Sequence, residues 1–290
     1  MVEATFTNPY SAAYNSWDYG FILRKNRNAP FIYIVVNSDS RWAVKSGEDA
    51  PYNSVGGGTL WNLYVGEGDE NHLRVVAIGR RGWFFVNGEF VSTLDLSDVT
   101  KSGDVAVITG AFEGDEVDGK VTKFEDFIIT RLDKRYGPAN GRLEKDSEFV
   151  PEHDSHVRAR DLVMEADYIN PQGEDWDYGF VIRNPESHRL EIIGLTGSRR
   201  WFHKTRDIGD DEYTDVSDGR LSDSGPFSYI RNHLLLIAIG DSGWFFVNGD
   251  LVDRLDLSHN TDSGWISVMG DFFRDHQGSP EFEDFNVWAP

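Results

Sequence analysis

The sequence predicts an all-β protein built from two tandem antiparallel β-sandwich domains of the jelly-roll type. Three observations lead to this prediction: a long internal repeat, short segments in which apolar and polar residues alternate, and Asn-Gly turns between apolar runs. The chain has 290 residues, which is long for one domain and suits two. Its 39% of hydrophobic residues is enough for a core in each domain.

The internal repeat runs through nearly the whole chain. Residues 82–88 return unchanged as residues 243–249, and residues 17–21 return as residues 176–180. Shorter matches fill the intervals: Asn8-Pro9 with Asn170-Pro171, Arg41-Trp42 with Arg200-Trp201, Asn71 with Asn232, residues 94–97 with 255–258, and residues 124–127 with 282–285. A series of this length in constant order predicts a tandem duplication.

The duplication places the domain boundaries. We predict a first domain at residues 1–132, a linker at residues 133–139 and a second domain at residues 140–290, because charged residues and turn formers crowd the junction. Before its Asn-Pro the second copy has an additional segment that the first copy lacks. We therefore expect the first domain to lack its N-terminal strand and to expose an open strand edge, a place for self-association by strand addition.

Each copy contains short strand segments in the same order. In the first copy, residues 17–24 alternate and direct one set of side chains to the core: Trp17, Tyr19, Phe21 and Leu23. Apolar runs follow at residues 31–36 and 73–78, and Asn-Gly at the centre of residues 86–90 is the turn of a hairpin. Nothing longer than a turn or two has a helical period, so about ten strands per copy must form two packed sheets or a barrel.

Composition excludes several classes of function. The net charge of −21, which divides into −6 for residues 1–132 and −15 for residues 133–290, argues against nucleic acid and anionic membranes as partners. No apolar run approaches the ~18 residues of a membrane helix, so we expect no membrane insertion. Zero cysteines exclude disulfides and thiolate sites. The first residues lack a basic segment followed by an apolar one, so we expect no signal peptide within this chain.

The order of the motifs resembles the concanavalin A-like lectin/glucanase superfamily, in its bacterial laminin-G-like branch. The resemblance rests on Asp-Tyr-Gly-Phe at residues 18–21 with Arg24, the strand at Asn71, Phe-Val-Asn-Gly at residues 85–88, a turn at Gly103, and the closing Phe-Glu-Asp-Phe. It covers nearly all of both copies and implies a β-sandwich. Lectins, adhesion modules and glycosidases all share this fold, so the fold alone does not choose among them.

Polar residues on the strand that begins at Trp17 are the first candidates for sugar binding. Asp18 and Arg24 alternate with the core-facing side chains, and Asp177 and Arg183 repeat them. On an open sheet face these side chains could hydrogen-bond sugar hydroxyls. The alternative is a cross-strand ion pair on a solvated sheet.

Tryptophans near loops are the second set of candidates. Trp42 with Arg41, and Trp201 with Arg200, follow the third strand of each copy. An indole at a rim offers a stacking platform for the apolar face of a pyranose, and the arginine could hold a hydroxyl. The alternative is that each indole covers the open end of its sandwich. Trp61 occurs only in the first copy and would distinguish the two sites.

No catalytic motif occurs in both copies of the repeat. A retaining glycosidase needs two carboxyl groups about 5–5.5 Å apart, and the adjacent acids at residues 125–126 and 283–284 point to opposite faces of their strands. His72 and His233 share one repeat position without a second histidine nearby, which indicates a structural role. We predict that the protein is not an enzyme; a divergent glycoside hydrolase of the same superfamily is the alternative.

An acidic loop in the second copy is the remaining candidate site. Calcium binds six to eight oxygens, and seven acids crowd this loop: Asp207, Asp210, Asp211, Glu212, Asp215, Asp218 and Asp223. The spacing differs from the regular calcium-loop pattern, so we expect a solvated loop and no cofactor, with calcium as the alternative.

Together these features predict a non-catalytic module for carbohydrate binding or adhesion. We expect it to act outside the cell or at the cell surface, with a glycan or a glycan-bearing surface as its partner. A second reading is a structural repeat of a surface fibre or adhesin that assembles by strand addition.

Overall fold

The protein is described by a computed structural model for residues 1–47, 53–110, 119–143, 152–171, 176–184, 189–207, 212–270 and 279–290. Within these ranges the regular structure is β-strand, and no helix occurs. The chain forms two compact units, Met1–Arg131 and Leu132–Pro290, each with two antiparallel sheets. The all-β, two-sandwich prediction is confirmed. The described part of the chain also holds no helix that is long and apolar enough to cross a membrane.

The first unit has ten strands: β1 (Val2–Thr7), β2 (Asp18–Lys25), β3 (Phe31–Asn37), β4 (Arg41–Gly47), β5 (Asn53–Thr59), β6 (Glu70–Ile78), β7 (Arg81–Val86), β8 (Glu89–Asp95), β9 (Asp104–Thr109) and β10 (Lys123–Ile129). One sheet has the order β10-β1-β6-β7-β8 and the other β5-β4-β3-β2-β9. Apolar side chains from both sheets form one core between them.

The second unit has twelve strands: β11 (Asp133–Arg142), β12 (Glu152–Ala159), β13 (Leu162–Ile169), β14 (Asp177–Asn184), β15 (Arg189–Thr196), β16 (Arg200–Asp207), β17 (Thr214–Arg220), β18 (Arg231–Ile239), β19 (Ser242–Val247), β20 (Asp250–Asp256), β21 (Gly264–Gly270) and β22 (Glu281–Ala289). They form two sheets, one with the strand order β11-β22-β13-β18-β19-β20 and the other with β12-β21-β14-β15-β16-β17. Without β11 and β12, this is the strand order of the first unit.

Alternation of side chains explains the strands that carry the repeated motifs. On β2, Tyr19, Phe21 and Leu23 are buried in the core, as the period-two pattern predicts. Gly20 lies between them and faces β3 so closely that a Cβ there would be 2.0 Å from the carbonyl oxygen of Ile34. Glycine is required at this position because the two backbones approach each other.

The predicted linker at residues 133–139 is instead the first part of β11. Asp133 pairs with Ala289 at one end of this strand, and Arg142 pairs with Glu281 at the other, so the segment belongs to the second unit. Turn formers are accommodated because β11 is the outermost strand of its sheet and its register shifts repeatedly, once between Tyr136 and Ala139. An edge strand with bulges tolerates the Gly137-Pro138 sequence that suggested a turn.

Candidate functional site

A buried hydrogen-bond network organises one end of the first unit, which we call the loop end. Here the connections β1–β2, β3–β4 and β5–β6 meet the β7–β8 turn. Asn71 donates through Nδ2 to the Tyr19 hydroxyl (2.9 Å), which donates to Asn8 Oδ1 (2.8 Å). Asn87 donates to Asn71 Oδ1 (3.0 Å). Burial raises the pKa of Tyr19, so its hydroxyl stays a donor.

The second unit contains the same network at its own loop end. Asn232 donates to the Tyr178 hydroxyl (2.8 Å), which donates to Asn170 Oδ1 (2.7 Å), and Asn248 donates to Asn232 Oδ1 (2.9 Å). The repeated Asn-Pro, Asp-Tyr-Gly-Phe, Asn-His-Leu and Asn-Gly motifs therefore have a structural role, since each supplies one member of the network. Buried polar groups that are all paired fix one arrangement of the loops around them.

Exposed aromatic side chains project from the loop end of the first unit. Trp61 is 95% exposed, Tyr14 is 86% exposed and Tyr64 is 58% exposed. We call these three residues the aromatic loop surface. Large exposed aromatic side chains at one end of a folded unit are candidates for a binding surface.

The loops that carry these aromatic residues are held by hydrogen bonds. Asn62, next to Trp61, donates to the carbonyl of Val86 (2.6 Å), and its own carbonyl accepts from Asn87 (2.6 Å). The backbone N–H of Ala12 donates to the carbonyl of Val65 (2.9 Å), which joins the loops of Tyr14 and Tyr64. These hydrogen bonds hold the loops in place, and such an arrangement would lower the entropic cost of binding a ligand.

At the loop end of the second unit, arginine and aromatic residues stack. The Arg199 guanidinium lies 4.9 Å from the ring centre of Tyr229 and 5.7 Å from that of Phe227. Asp223 accepts a hydrogen bond from Arg199 at 2.6 Å. Tyr229 and its neighbour Ile230 are exposed. The predicted arginine was Arg200, the next along the chain, and no sequence motif indicated this group.

The first set of predicted binding residues does not line an open sheet face. Asp18 and Asp177 are buried. Arg24 and Arg183 leave the alternation because each has a left-handed backbone, with φ of 60° and 49°, and the strand register shifts there. This bulge turns the arginine inward at the end opposite the loop end.

Arg183 is a buried structural residue. Its Nη1 donates to the carbonyls of Leu257 (3.1 Å) and Asn260 (2.6 Å), and Nη2 donates to Gly240 (2.5 Å). Nε and Nη2 both donate to the carbonyl of Arg160 (3.2 Å). All of its donors thus bind backbone carbonyls of three turns, which leaves none for a sugar. Burial lowers its pKa.

The predicted stacking platform is also wrong for Trp201, which is buried in the core of the second unit. A Cβ on Gly219 of the neighbouring strand would lie 2.4 Å from its indole nitrogen. Trp42 is half-buried and packs in the same way against Gly58, with its ring centre 6.0 Å from that of Phe84. The indoles cover the cores, which was the alternative. Arg41 and Arg200 are exposed beside them.

A cleft of about 220 Å³ lies over β16 and β17 of the second unit, with Arg200 and Trp201 in its lining. Two ion pairs cross it, Arg200 with Asp218 and Lys204 with Asp215. Because each charge has a partner, this cleft offers few free polar groups to a ligand.

Other acids of the acidic loop also form ion pairs. Asp207 accepts two hydrogen bonds from Arg189 (2.8 and 2.9 Å), and Asp223 pairs with Arg199. Asp210 and Asp211 lie outside the described residues. Within the described ranges no group of three or more His, Asp and Glu side chains is placed to hold a metal ion. The expectation of a solvated loop without a cofactor, with calcium as the alternative, stays a prediction.

A charged cluster on β13, which the sequence analysis missed, involves His233. Met164, Ala166 and Tyr168 face the core, so the two acids between them share the outer face. His233 lies between these acids, with Nδ1 3.1 Å from Asp167 Oδ1 and Nε2 3.5 Å from Glu165 Oε2. Burial raises the pKa of Asp167, but hydrogen bonds from His233 and Arg231 outweigh this and lower it to about 2.

The first unit has a smaller form of this cluster. His72 Nε2 lies 3.3 Å from Glu3 Oε2, and Arg74 donates to the same carboxylate at 2.6 Å. The hydrogen bond from His72 is the largest of the effects that lower the pKa of Glu3 to about 2. In both units the repeated histidine therefore has carboxylate partners and a structural role.

A second pair missing from the sequence predictions lies inside the second unit. His203 Nε2 and Glu191 Oε2 are 2.6 Å apart, and both side chains are fully buried. His203 Nδ1 and Glu191 Oε1 have no hydrogen-bond partner. At the matching positions the first unit has Ile32 and Val44, so no repeat motif could indicate the pair.

No family model matches the chain, and no curated protein does. Among solved structures it is similar to the carbohydrate-binding module CBM66 from Bacillus subtilis, with 10% identity and a TM-score of 0.40 over 55% of this chain and 95% of that one. It is also similar to a laminarinase catalytic domain from Thermotoga petrophila, with 10% identity and a TM-score of 0.36 over 48% of this chain and 67% of that one. A third similar structure is sheep galectin-11, with 10% identity and a TM-score of 0.35 over 48% of this chain and 96% of that one. At this identity no residue is transferred from them.

Proposed function

We propose that this protein binds carbohydrate without catalysis, and that its main site is the aromatic loop surface of the first unit. Trp61 carries the proposal, because a nearly fully exposed indole sits on a loop that hydrogen bonds hold in place. The apolar face of a pyranose ring would remove this indole from water, and tyrosine hydroxyls nearby would bind sugar hydroxyls.

The stacked Arg199, Phe227 and Tyr229 of the second unit are the proposed second site. Two weak sites on one chain gain avidity through effective concentration. The net charge of −21 disfavours sulfated and uronate-rich glycans, so the proposed ligands are neutral. Extracellular or cell-surface localisation is part of this proposal, because such glycans are found there.

The proposal excludes catalysis because the acids with strand-face spacing are tied to basic groups. Glu165 and Asp167, which share the outer face of β13, both contact His233, and Asp167 also pairs with Arg231. A divergent glycosidase would reveal itself by releasing reducing ends from neutral glucans, and one Asp or Glu substitution would abolish this release.

An array of neutral glycans tests the proposed site. We expect Trp61→Ala to weaken binding about tenfold or more, which is about 1.4 kcal/mol. Ile129→Ala is the control, since Ile129 is an exposed apolar side chain at the other end of the first unit. No binding to any glycan, or equal binding by the Trp61→Ala variant, would show that the proposed site is wrong.

A further inference from the structure

The two units differ at the edges of their sheets. In the second unit β11 lies beside β22, and β12 lies beside β21. In the first unit β10 matches β22 and β9 matches β21. Among the described residues each of these two strands pairs with a neighbour on one side only. Their outer backbone N–H and C=O groups form a template for further strands.

Apolar side chains of the first unit are exposed between these two edges. Phe124 is 51% exposed and Ile129 is 55% exposed, whereas Phe282 and Val287 at the matching positions are buried. A cavity of about 200 Å³ opens there, lined by Leu23, Arg24, Val75, Ala77, Val105 and Ile129. We call the cavity and the two strand edges the open groove.

The second unit shows what fills such a groove. Leu143, which follows β11, and Ala159, at the end of β12, are buried in its core. Tyr136 of β11 packs 5.3 Å from the ring of Phe285 and shares a 2.6 Å hydrogen bond with His153 of β12. These two strands thus each extend one sheet at its edge, and together they cover the core between the sheets.

Arg24 is the second observation that indicates an occupant. It repeats most contacts of Arg183, because its guanidinium donates to the carbonyls of Gly79, Leu96 and Val99. Arg183 also donates through Nε to the carbonyl of Arg160, in the turn that follows β12. Among the described residues the Nε of Arg24 has no such acceptor, although it borders the open groove.

We propose that the open groove is the docking site for a two-stranded polypeptide segment of the kind that residues 133–159 form in the second unit. The occupant is a polypeptide segment of this chemistry. It brings alternating apolar side chains to the core, strand pairing to β9 and β10, and a backbone carbonyl to Arg24.

The chemistry of the groove selects this occupant. A glycan would not pair with the strand edges. A second copy of the chain has its own segment engaged in the core of its second unit, through Leu143 and Ala159. A free strand pair with this pattern satisfies both the edges and the apolar surface.

A peptide of residues 132–161, added to the full chain, tests the proposal by amide hydrogen exchange. We expect exchange in β9 and β10 to slow about tenfold or more, equivalent to about 1.4 kcal/mol. The same peptide with Leu143→Asp and Ala159→Asp is the control and should give no protection. Equal protection by both peptides would overturn the proposal.

Two further variants complete the test. A chain with residues 132–161 fused ahead of Met1 supplies the segment at high effective concentration, and absence of protection there as well overturns the proposal. Ile129→Asp should abolish docking while β6 and β7 keep their protection. If light scattering instead shows a dimer of the chain that Ile129→Asp dissociates, a second copy is the occupant and the proposed partner is wrong.

Discussion

Replacement of the buried Glu191–His203 pair by the residues of the first unit should stabilise the second unit. The pair makes one contact of 2.6 Å but leaves Glu191 Oε1 and His203 Nδ1 buried without partners. Ile32 and Val44 show that the same fold accepts apolar side chains at these positions, each 1% exposed. The chain thus contains the template for its own variant, Glu191→Ile with His203→Val.

The expected effect follows from the cost of the unpaired atoms. Each buried polar atom without a partner costs about 1–3 kcal/mol. Replacing a buried ion pair by apolar residues of similar volume is neutral or stabilises by about 1–4 kcal/mol. We therefore expect the double variant to gain about 2 kcal/mol. His203→Val alone leaves the Glu191 side chain buried without its hydrogen-bond partner and should lose about 3–5 kcal/mol.

Urea unfolding of the full chain measures both variants, and hydrogen exchange of residues 189–207 assigns the transition to the second unit. The exposed pair Arg200–Asp218 lies on the same sheet, so its double alanine variant is the control and should change stability by about 1 kcal/mol or less. The reasoning fails if the double variant is less stable than the natural protein. It also fails if His203→Val alone has no effect.

Three further predictions concern charge and packing. The pKa of Asp167 is lower in the folded protein than in the unfolded chain, where it is near 3.9, so its ionised carboxylate stabilises the fold at higher pH. The free energy of unfolding should therefore fall by about 1 kcal/mol as the pH drops from about 5 to 2, and acid titration of the Asp167→Asn variant should lack this loss. Arg183→Met leaves the carbonyls of three turns without a donor and should lower the unfolding free energy by about 3 kcal/mol or more, measured in urea, and an unchanged midpoint would contradict this. Trp201→Ala should cost about 3–5 kcal/mol in a thermal melt, yet the folded variant should keep its glycan affinity at low temperature, which separates core packing from binding.

Local patterns predicted the strands of both units but not the direction of several side chains. Alternation is a local property, so the core residues of β2 follow from the sequence. Arg24 and Arg183 fall on the polar face only if the alternation continues, and a left-handed residue interrupts it in the structure. Gly103 and Gly264 pack against these bulges, but Gly103 lies just before β9 and Gly264 begins β21, so these contacts are visible only once the sheets are known.

The candidate site shows the same limit. Trp61 was identified because it breaks the repeat, and its exposure supports the proposed role. Trp42 and Trp201 were misread because the glycines that admit their indoles, Gly58 and Gly219, belong to neighbouring strands. The Glu191–His203 pair departs from its repeat counterparts without any local motif, so only the packed structure could locate it.

The asparagine network has a consequence for how the two units can diverge. Residues 61–69 and 222–230 start and finish at equivalent positions, where Leu60 and Leu221 make the same backbone hydrogen bond and Asn71 and Asn232 fill the same role. The sequences between these fixed points differ completely in their aromatic residues. The fixed points thus lie outside the variable residues, so one loop can be exchanged for another of the same length while the scaffold around it stays intact.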